Sequence, residues 1–476
     1  MSRSSSPARQ ALVGMAASIA LVVTGLFAAT SASAHDGEQH HDSEYVPPPV
    51  ATSGPVSGAY KNVNKRDQHE VWLVDQSNTD PTSSPTHGGR IHIFDGAELR
   101  KETASASAEV VELSAETAEL CLSATDANPV RPHMIYFNAA ETHAVLSFVV
   151  SGHVVIFEAA SRKPVACFRS EPGFGNARQA HAAVPTPDER YIIVANQNGK
   201  KVERIRTDYA RNRFVQDKRA TLDLASGTTP KGLAVETRDD QALRPDNAPI
   251  CPFIPSTGYP AFISLRGGGL FAIDPYSTPM KIVSEYPATE VARDGCGFTE
   301  AQGWVYGNGG SRPADPSGWF VYRVPVGGPE LWNPKTQPAI QVVDHDRRGP
   351  RDAHGVVTVR DRYVWAFDRS AHVLQVYRAR TGRTETTVNL RSEYAQKPAP
   401  DIVAQSPDGF AVYAATRGPN PLSGAHAATG DAPGLLVLEV RKDGREGVVR
   451  GHVGVSNKIG GKELADPHGL AVRSTR

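Results

Sequence analysis

The chain has 476 residues, and its 51 basic and 51 acidic side chains give a formal net charge of zero. No excess of basic residues is available to attract nucleic acid, so the composition argues against a nucleic-acid-binding protein. The 42 Gly and 36 Pro interrupt short runs of Val, Ile, Tyr and Phe. This pattern is typical of many short β-strands separated by turns.

The first 34 residues have the three parts of a secretory signal peptide. Arg3 and Arg9 form a basic start, an apolar run covers about residues 11–29, and small residues occupy 32–34. We therefore expect a secreted or extracytoplasmic protein, and a periplasmic or cell-wall-associated location is compatible with this. No later apolar run approaches the length of about 20 residues that a membrane-spanning helix needs, so we expect no membrane span.

Residues 35–66 are polar and rich in Pro, Gly and Ser. A segment of this composition cannot bury enough apolar surface to fold alone, and we expect a disordered leader. Its histidines, His35, His40 and His41, are expected to be solvated, although they could also collect or deliver metal.

From residue 67 onward the chain repeats a four-strand pattern. A polar residue precedes an apolar first strand, as in RPHMIYFN (131–138) and DAHGVVTV (352–359). A turn, a second strand and two further strands follow. The position of the polar residue, which we call the slot, recurs near residues 133, 181, 249, 294, 354, 401 and 468. Four-stranded units that recur in this way predict the blades of a β-propeller.

The two ends of the repeat region complement each other. The first three strands, EVWLVDQS, GRIHIFDG and AEVVEL, lack a preceding first strand, and the C-terminal DPHGLAVR is a first strand without a blade. Pairing them would close the ring and remove exposed sheet edges. The sequence therefore predicts an all-β, seven-bladed propeller over residues 67–476, closed by its N- and C-terminal strands.

At this level the chain resembles the secreted seven-bladed propellers of the YVTN or YncE-like superfamily. The resemblance rests on Ser406-Pro407-Asp408-Gly409 followed by FAVYAAT, on PTPDERYIIVANQNG and on the PHGLAV ending. It implies the fold and leaves the function open. The superfamily includes binding proteins, lactonase-like enzymes and copper enzymes with histidines in the channel, such as the propellers of nitrous oxide reductase and thiocyanate dehydrogenase.

The slots of five consecutive blades carry residues that suit a metal. The first strand of a blade is innermost, so these residues are expected near the mouth of the central channel: His354, Asp401, His468, His133 and His181. Imidazole and carboxylate ligands suit Zn, Cu or Fe. The alternative for the set is a polar lining that binds water or an anionic ligand, and Asp401 could simply accept structural hydrogen bonds.

Two long loops with histidines are expected on the same face, and they carry His87 and His426. They could close over the channel or add ligands. Lys231, in a segment that resembles the C-terminal PHGLAV, is expected to be solvated.

The four cysteines allow three disulfide pairings. Cys251 and Cys296 lie on neighbouring inner strands, and Cys121 and Cys167 flank blade two, so the strand assignment favours these two bridges. A cysteine-based copper or zinc site is the alternative.

Three functions remain open. The first is a metal-dependent oxidoreductase or metal-handling protein with a small molecule or metal in the channel. The second is a non-catalytic scaffold that binds a protein partner on a loop face. The third is a lactonase-like hydrolase that uses Ca²⁺, although Ca²⁺ prefers carboxylate and carbonyl ligands and the histidine-rich slots argue against it. If the protein is an enzyme, His133, His181, His354 and His468 would be ligands, and Asp401 a ligand or a general base.

Overall fold

The structure is a computed structural model that describes residues 45–50, 68–77, 88–101, 106–225, 229, 247–310, 318–346, 348–421 and 428–475. In this part of the chain, short antiparallel strands form seven blade sheets and one separate two-stranded sheet. In chain order, the strands of blades one to three are β1 (His69–Asp75), β2 (Arg90–Asp95), β3 (Ala108–Glu112), β4 (Pro132–Phe137), β5 (His143–Phe148), β6 (His153–Glu158), β7 (Lys163–Arg169), β8 (Ala180–Pro185), β9 (Tyr191–Asn196), β10 (Lys201–Asp208), β11 (Arg213–Gln216) and β12 (Leu222–Asp223).

Blades four to seven repeat the arrangement. Their strands are β13 (Pro249–Phe253), β14 (Ala261–Leu265), β15 (Leu270–Asp274), β16 (Lys281–Tyr286), β17 (Phe298–Ala301), β18 (Trp304–Gly309), β19 (Trp319–Pro325), β20 (Gln341–Asp346), β21 (Ala353–Val359), β22 (Tyr363–Asp368), β23 (Val373–Arg378), β24 (Thr384–Asn389), β25 (Pro400–Gln405), β26 (Ala411–Thr416), β27 (Gly434–Arg441) and β28 (Glu446–Gly454). A hairpin and the last strand follow: β29 (Lys458–Ile459), β30 (Lys462–Glu463) and β31 (Pro467–Ser474).

The described helices are short and lie between strands. The α-helices are α1 (Gly96–Lys101), α2 (Leu113–Glu116) and α3 (Ala118–Thr125), and the 3₁₀ turns cover Phe174–Asn176, Tyr209–Arg211, Lys218–Ala220 and Lys442–Gly444. None of the helices in the described residues is long and apolar enough to cross a membrane.

The ring closes as the sequence predicts. Blade one has the order β3-β2-β1-β31, so the C-terminal strand is its innermost strand. β31 pairs antiparallel with β1, from His69 opposite Ser474 to Asp75 opposite Pro467. The prediction of seven blades closed by the terminal strands is confirmed, and both ends of the propeller are tied into one sheet.

The hydrophobic core lies between neighbouring blades. Trp72 of blade one packs in a cluster with Leu146 of blade two, and Trp365 of blade six packs in another with Leu436 of blade seven. A middle strand such as β5 is buried along its whole length because blades cover both of its faces. The fourth strands are only partly covered, which explains the Thr- and Glu-containing sequence TETTVN of β24.

Part of the segment predicted as a leader contacts the propeller. Tyr45 N donates a hydrogen bond to Gly349 O, and the Arg351 guanidinium lies 4.0 Å from the centroid of the Tyr45 ring. Asn389 Nδ2 donates to Pro48 O. Residues 45–50 therefore lie against blade six, while the other residues of the leader and all of the predicted signal peptide lie outside the described residues.

Candidate functional site in the central channel

β-Bulges at the start of the inner strands position the slot residues. The pairing of β4 with β5 shifts register between Pro132 and Ile135, so His133 and Met134 lie in the bulge. The register shifts at the same place around His354 in β21, around Asp401 in β25 and around His468 in β31. A bulge redirects the side chain that it carries, and here each bulge presents one polar residue at the same level of the channel.

Three slot residues from blades six, seven and one form a close group. His468 Nδ1 donates a hydrogen bond of 2.7 Å to Asp401 Oδ2, and His354 Nε2 lies 3.0 Å from Asp401 Oδ1. One ligand atom from each residue lies within 4.8 Å of the other two, a spacing that could hold a metal ion. All three are buried, with at most 4% of each residue exposed.

The remaining two slot histidines form a neighbouring pair. His133 Nε2 lies 3.3 Å from His181 Nε2, and His133 Nδ1 lies 3.2 Å from Gln76 Oε1. The His133 ring stacks on His468 with 3.9 Å between centroids and 12° between planes. Lone pairs of parallel stacked rings do not converge on one point, so His133 and His468 could share a metal ion only if one ring turned. The predicted arc of five residues is therefore brought together as a group of three beside a pair.

Asp401 also belongs to a chain of buried ion pairs. Arg369 lies between Asp352 and Asp401, with nitrogen–oxygen distances of 2.8 and 3.1 Å. Arg417 lies between Asp401 and Asp466, with distances of 3.6 and 2.7 Å. These three carboxylates and two guanidiniums leave one negative charge in excess when all are ionised.

Burial and the neighbouring charges set the protonation of this site. Burial, reinforced by Arg369, holds the pKa of His354 well below its usual value, so its imidazole is neutral near pH 7 and could bind metal. Burial alone would raise the pKa of Asp401, but His468, Arg369 and His354 together hold it well below its usual value. Burial raises the pKa of Asp352 to about 6.

Below the slot level the channel opens into a cavity of about 440 Å³. Its wall consists mainly of apolar side chains such as Phe253, Ile402 and Leu470, and it also includes Cys296. The five slot residues are not part of this wall.

The remaining predictions for the site have different outcomes. His87, His426, Lys231 and the leader histidines lie outside the described residues, so their roles stay predictions. Several other histidines hold loops or strands by hydrogen bonds: His143 to Asn212, His153 to Thr125, His372 to Ala399 and His452 to Thr416.

Both favoured disulfides are confirmed. Cys121 bonds to Cys167 and Cys251 to Cys296, with Cα–Cα distances of 5.3 and 5.2 Å. The second bridge lies beside the histidine layer, because His181 Nδ1 is 3.6 Å from Cys251 Sγ.

The arginines of the ion-pair chain were not found by sequence reasoning, although a repeat signal marks them. Arg369 and Arg417 each follow directly after the second strand of a blade, and Arg266 occupies the same position in blade four. Arg266 pairs with Asp294 at the start of blade five, at 2.7 Å. The slot alignment that found the histidines would have found this second repeated position.

Comparison with known proteins shows the fold. No protein-family model matches the chain, and no curated protein matches it. A Bacteroides fragilis protein described as a candidate 6-phosphogluconolactonase is 12% identical with a TM-score of 0.53, over 87% of this chain and 100% of that one. The periplasmic gluconolactonase of Pseudomonas aeruginosa is 13% identical with a TM-score of 0.51, over 85% and 100%. A Lactobacillus plantarum protein is 8% identical with a TM-score of 0.54, over 86% and 100%.

These similarities agree with the seven-bladed propeller. At such identities they do not establish membership of the YVTN or YncE-like superfamily or a relation to nitrous oxide reductase. The activity has to be argued from the site.

Proposed function

We propose that this propeller is an extracytoplasmic metal-handling protein that binds one Zn²⁺ or Cu²⁺ ion in the channel. The observation that carries the proposal is the buried group of His354, Asp401 and His468, whose ligand atoms lie within 4.8 Å of one another. Imidazole and carboxylate donors suit both ions, and Cu²⁺ is the strongest binder in the series of divalent first-row metals.

The distances in the group fit a metal after a small movement. In a tetrahedral site with bonds of about 2.0–2.1 Å, ligand atoms lie about 3.3 Å apart. The separation of 2.7 Å between His468 Nδ1 and Asp401 Oδ2 is that of a hydrogen bond, and His354 Nε2 lies 3.0 Å from Asp401 Oδ1. An ion would take the place of the hydrogen-bonded proton, with that proton moving to Nε2 of His468, and would move the ligands apart by a few tenths of an ångström.

The deep burial of the three side chains favours handling over catalysis. A catalytic metal site keeps an open coordination position and space for a substrate. Here the three ligands are nearly fully buried, and the cavity of about 440 Å³ does not include them in its wall. The signal-peptide pattern and the two disulfides support a place outside the cytoplasm, where disulfides persist.

The test is metal content and affinity of the mature protein, purified without a histidine tag and stripped with a chelator. We expect uptake of one Zn²⁺ or Cu²⁺ per chain by elemental analysis and calorimetry. The double variant His354→Gln with His468→Gln should lose this uptake, whereas His143→Gln, which changes a buried histidine outside the channel, should keep it. No uptake by the wild type, or equal uptake by the double variant, would overturn the proposal.

A second candidate is a metal-independent hydrolase of the lactonase type. Asp401 fixes Nδ1 of His468, and His468 Nε2 has no hydrogen-bond partner among the described residues. This is the arrangement of an oriented general base. The comparisons favour this candidate over the metal centre, because two of the similar structures are described as a gluconolactonase and a candidate 6-phosphogluconolactonase.

Hydrolysis of gluconolactone and 6-phosphogluconolactone separates the two candidates. The hydrolase requires activity that survives chelator treatment and is lost in His468→Ala. The metal-handling protein requires no turnover by either the stripped or the metal-loaded form.

A further inference from the structure

A second group of metal-binding side chains lies beside the histidine layer. It consists of His181 from blade three, Cys251 from blade four and Cys296 at the start of blade five, and one ligand atom of each lies within 4.8 Å of the others. All three residues are buried, with at most 5% exposed. The two sulfurs are joined in a disulfide and therefore do not act as thiolate ligands in this state.

We propose that reduction of the Cys251–Cys296 disulfide creates a Cys₂His binding site for a divalent transition metal such as Zn²⁺. The site adds to the one formed by His354, Asp401 and His468, and it shares no ligand with it. The redox state of the disulfide would thus control how many metal ions the channel binds.

The geometry around His181 already matches such a site. With a Zn–S bond of about 2.3 Å and a Zn–N bond of about 2.0–2.1 Å, tetrahedral ligands place sulfur and nitrogen about 3.6 Å apart. The observed distance from Cys251 Sγ to His181 Nδ1 is 3.6 Å. Cleavage of the sulfur–sulfur bond lets Cys296 Sγ move to a similar separation, and a water molecule would complete four ligands.

The reductant has a route to the bridge. Cys296 is part of the wall of the channel cavity of about 440 Å³, whereas neither cysteine of the other disulfide is. An external dithiol supplies two electrons and two protons, so the bridge becomes two thiols and the dithiol becomes a disulfide. Metal binding then displaces the two thiol protons.

Metal binding at this site would also determine which ring nitrogens of the neighbouring pair, His181 and His133, carry protons. Metal on His181 Nδ1 requires the proton of the neutral ring to be on Nε2. His181 Nε2 lies 3.3 Å from His133 Nε2 and would then donate to it. Reduction and metal binding would therefore fix the tautomers of both rings.

The experiment titrates Co²⁺ into the full-length mature protein before and after reduction with dithiothreitol, which is removed before the titration. Thiols are counted with 5,5′-dithiobis(2-nitrobenzoate), and folding is followed by circular dichroism. We expect the reduced protein to bind one additional Co²⁺ with a thiolate-to-cobalt charge-transfer band that the oxidised protein lacks.

Matched variants assign the additional ion. Cys251→Ser with Cys296→Ser should lose the additional ion and the band, whereas Cys121→Ser with Cys167→Ser should keep both. His181→Gln should yield the same number of thiols but bind the additional ion at least about tenfold more weakly, because a direct ligand is lost and even outer-shell partners contribute about 10–100-fold to metal affinity. His354→Gln with His468→Gln should keep the reduction-dependent uptake, which separates this site from the one proposed above.

Three results would overturn the proposal. The first is that reduction of the wild type yields thiols but Co²⁺ gives no charge-transfer band. The second is that His181→Gln shows the same band at unchanged affinity. The third is that the protein loses its folded circular dichroism spectrum when Cys251 and Cys296 are reduced.

Discussion

Replacement of Asp401 by Asn removes the charge at the centre of the site while keeping its size. The buried carboxylate accepts a hydrogen bond from His468 at 2.7 Å and one from Arg369 at 3.1 Å, and His354 and Arg417 lie at 3.0 and 3.6 Å. An amide can accept at only one of its two positions and presents an N–H group at the other. We therefore expect loss of both folding stability and metal affinity.

The structure sets the size of the stability loss. Removal of one partner from a buried ion pair costs about 3–5 kcal/mol. Each arginine keeps a second carboxylate, Asp352 for Arg369 and Asp466 for Arg417. We therefore expect a decrease of about 3 kcal/mol in the free energy of unfolding, at the lower end of that range.

Urea unfolding of the metal-free protein near pH 7 measures this decrease. The pKa of Asp401 is lower in the folded protein than in the unfolded chain, so its stabilising contribution is present above the unfolded pKa and is lost as the pH falls through the folded value. Asp443→Asn is the control, because this exposed carboxylate pairs with Arg360 and Arg362 at the surface and should leave the midpoint unchanged. An Asp401→Asn midpoint equal to that of the control would refute the reasoning.

Other predictions follow from the same structure. Burial raises the pKa of Asp75 to about 6, so its contribution to stability is full below about pH 4 and is lost as the pH rises through 6. Thermal unfolding at a series of pH values should show a loss of roughly 3 kcal/mol in the wild type and not in Asp75→Asn. Parallel pH profiles of the two proteins would contradict this prediction. Cys121→Ser with Cys167→Ser should lower the free energy of unfolding by about 4 kcal/mol, because the bridge closes a loop with a sequence separation of 46; an unchanged urea midpoint would argue against this. Deletion of residues 467–475 removes β31 and exposes the edge of β1, so size-exclusion chromatography should show aggregation instead of a monodisperse peak.

Much of the fold was predictable because every blade repeats the same pattern of strands and turns. The four-strand pattern, the turn residues and the incomplete terminal units predict seven blades and their closure. The slot alignment also selected His133, His181, His354, Asp401 and His468, because equivalent bulges bring equivalent positions to the channel.

The internal arrangement of the site was not predictable in the same way. Whether His133 stacks on His468 or faces His181 depends on ring rotations set by partners from other blades, such as Gln76. The two arginines that pair with Asp401 come from the ends of second strands, a repeated position that the slot alignment did not include. The contact between His181 and the Cys251 bridge likewise joins blades three and four.

The most direct test of the proposed metal centre is anomalous diffraction from a crystal of the mature protein loaded with one equivalent of Zn²⁺, measured at the zinc edge. The account predicts one strong anomalous peak within bonding distance of His354, Asp401 and His468 in the channel. A peak confined to the protein surface, or no peak in a crystal whose channel residues are well ordered, would contradict it.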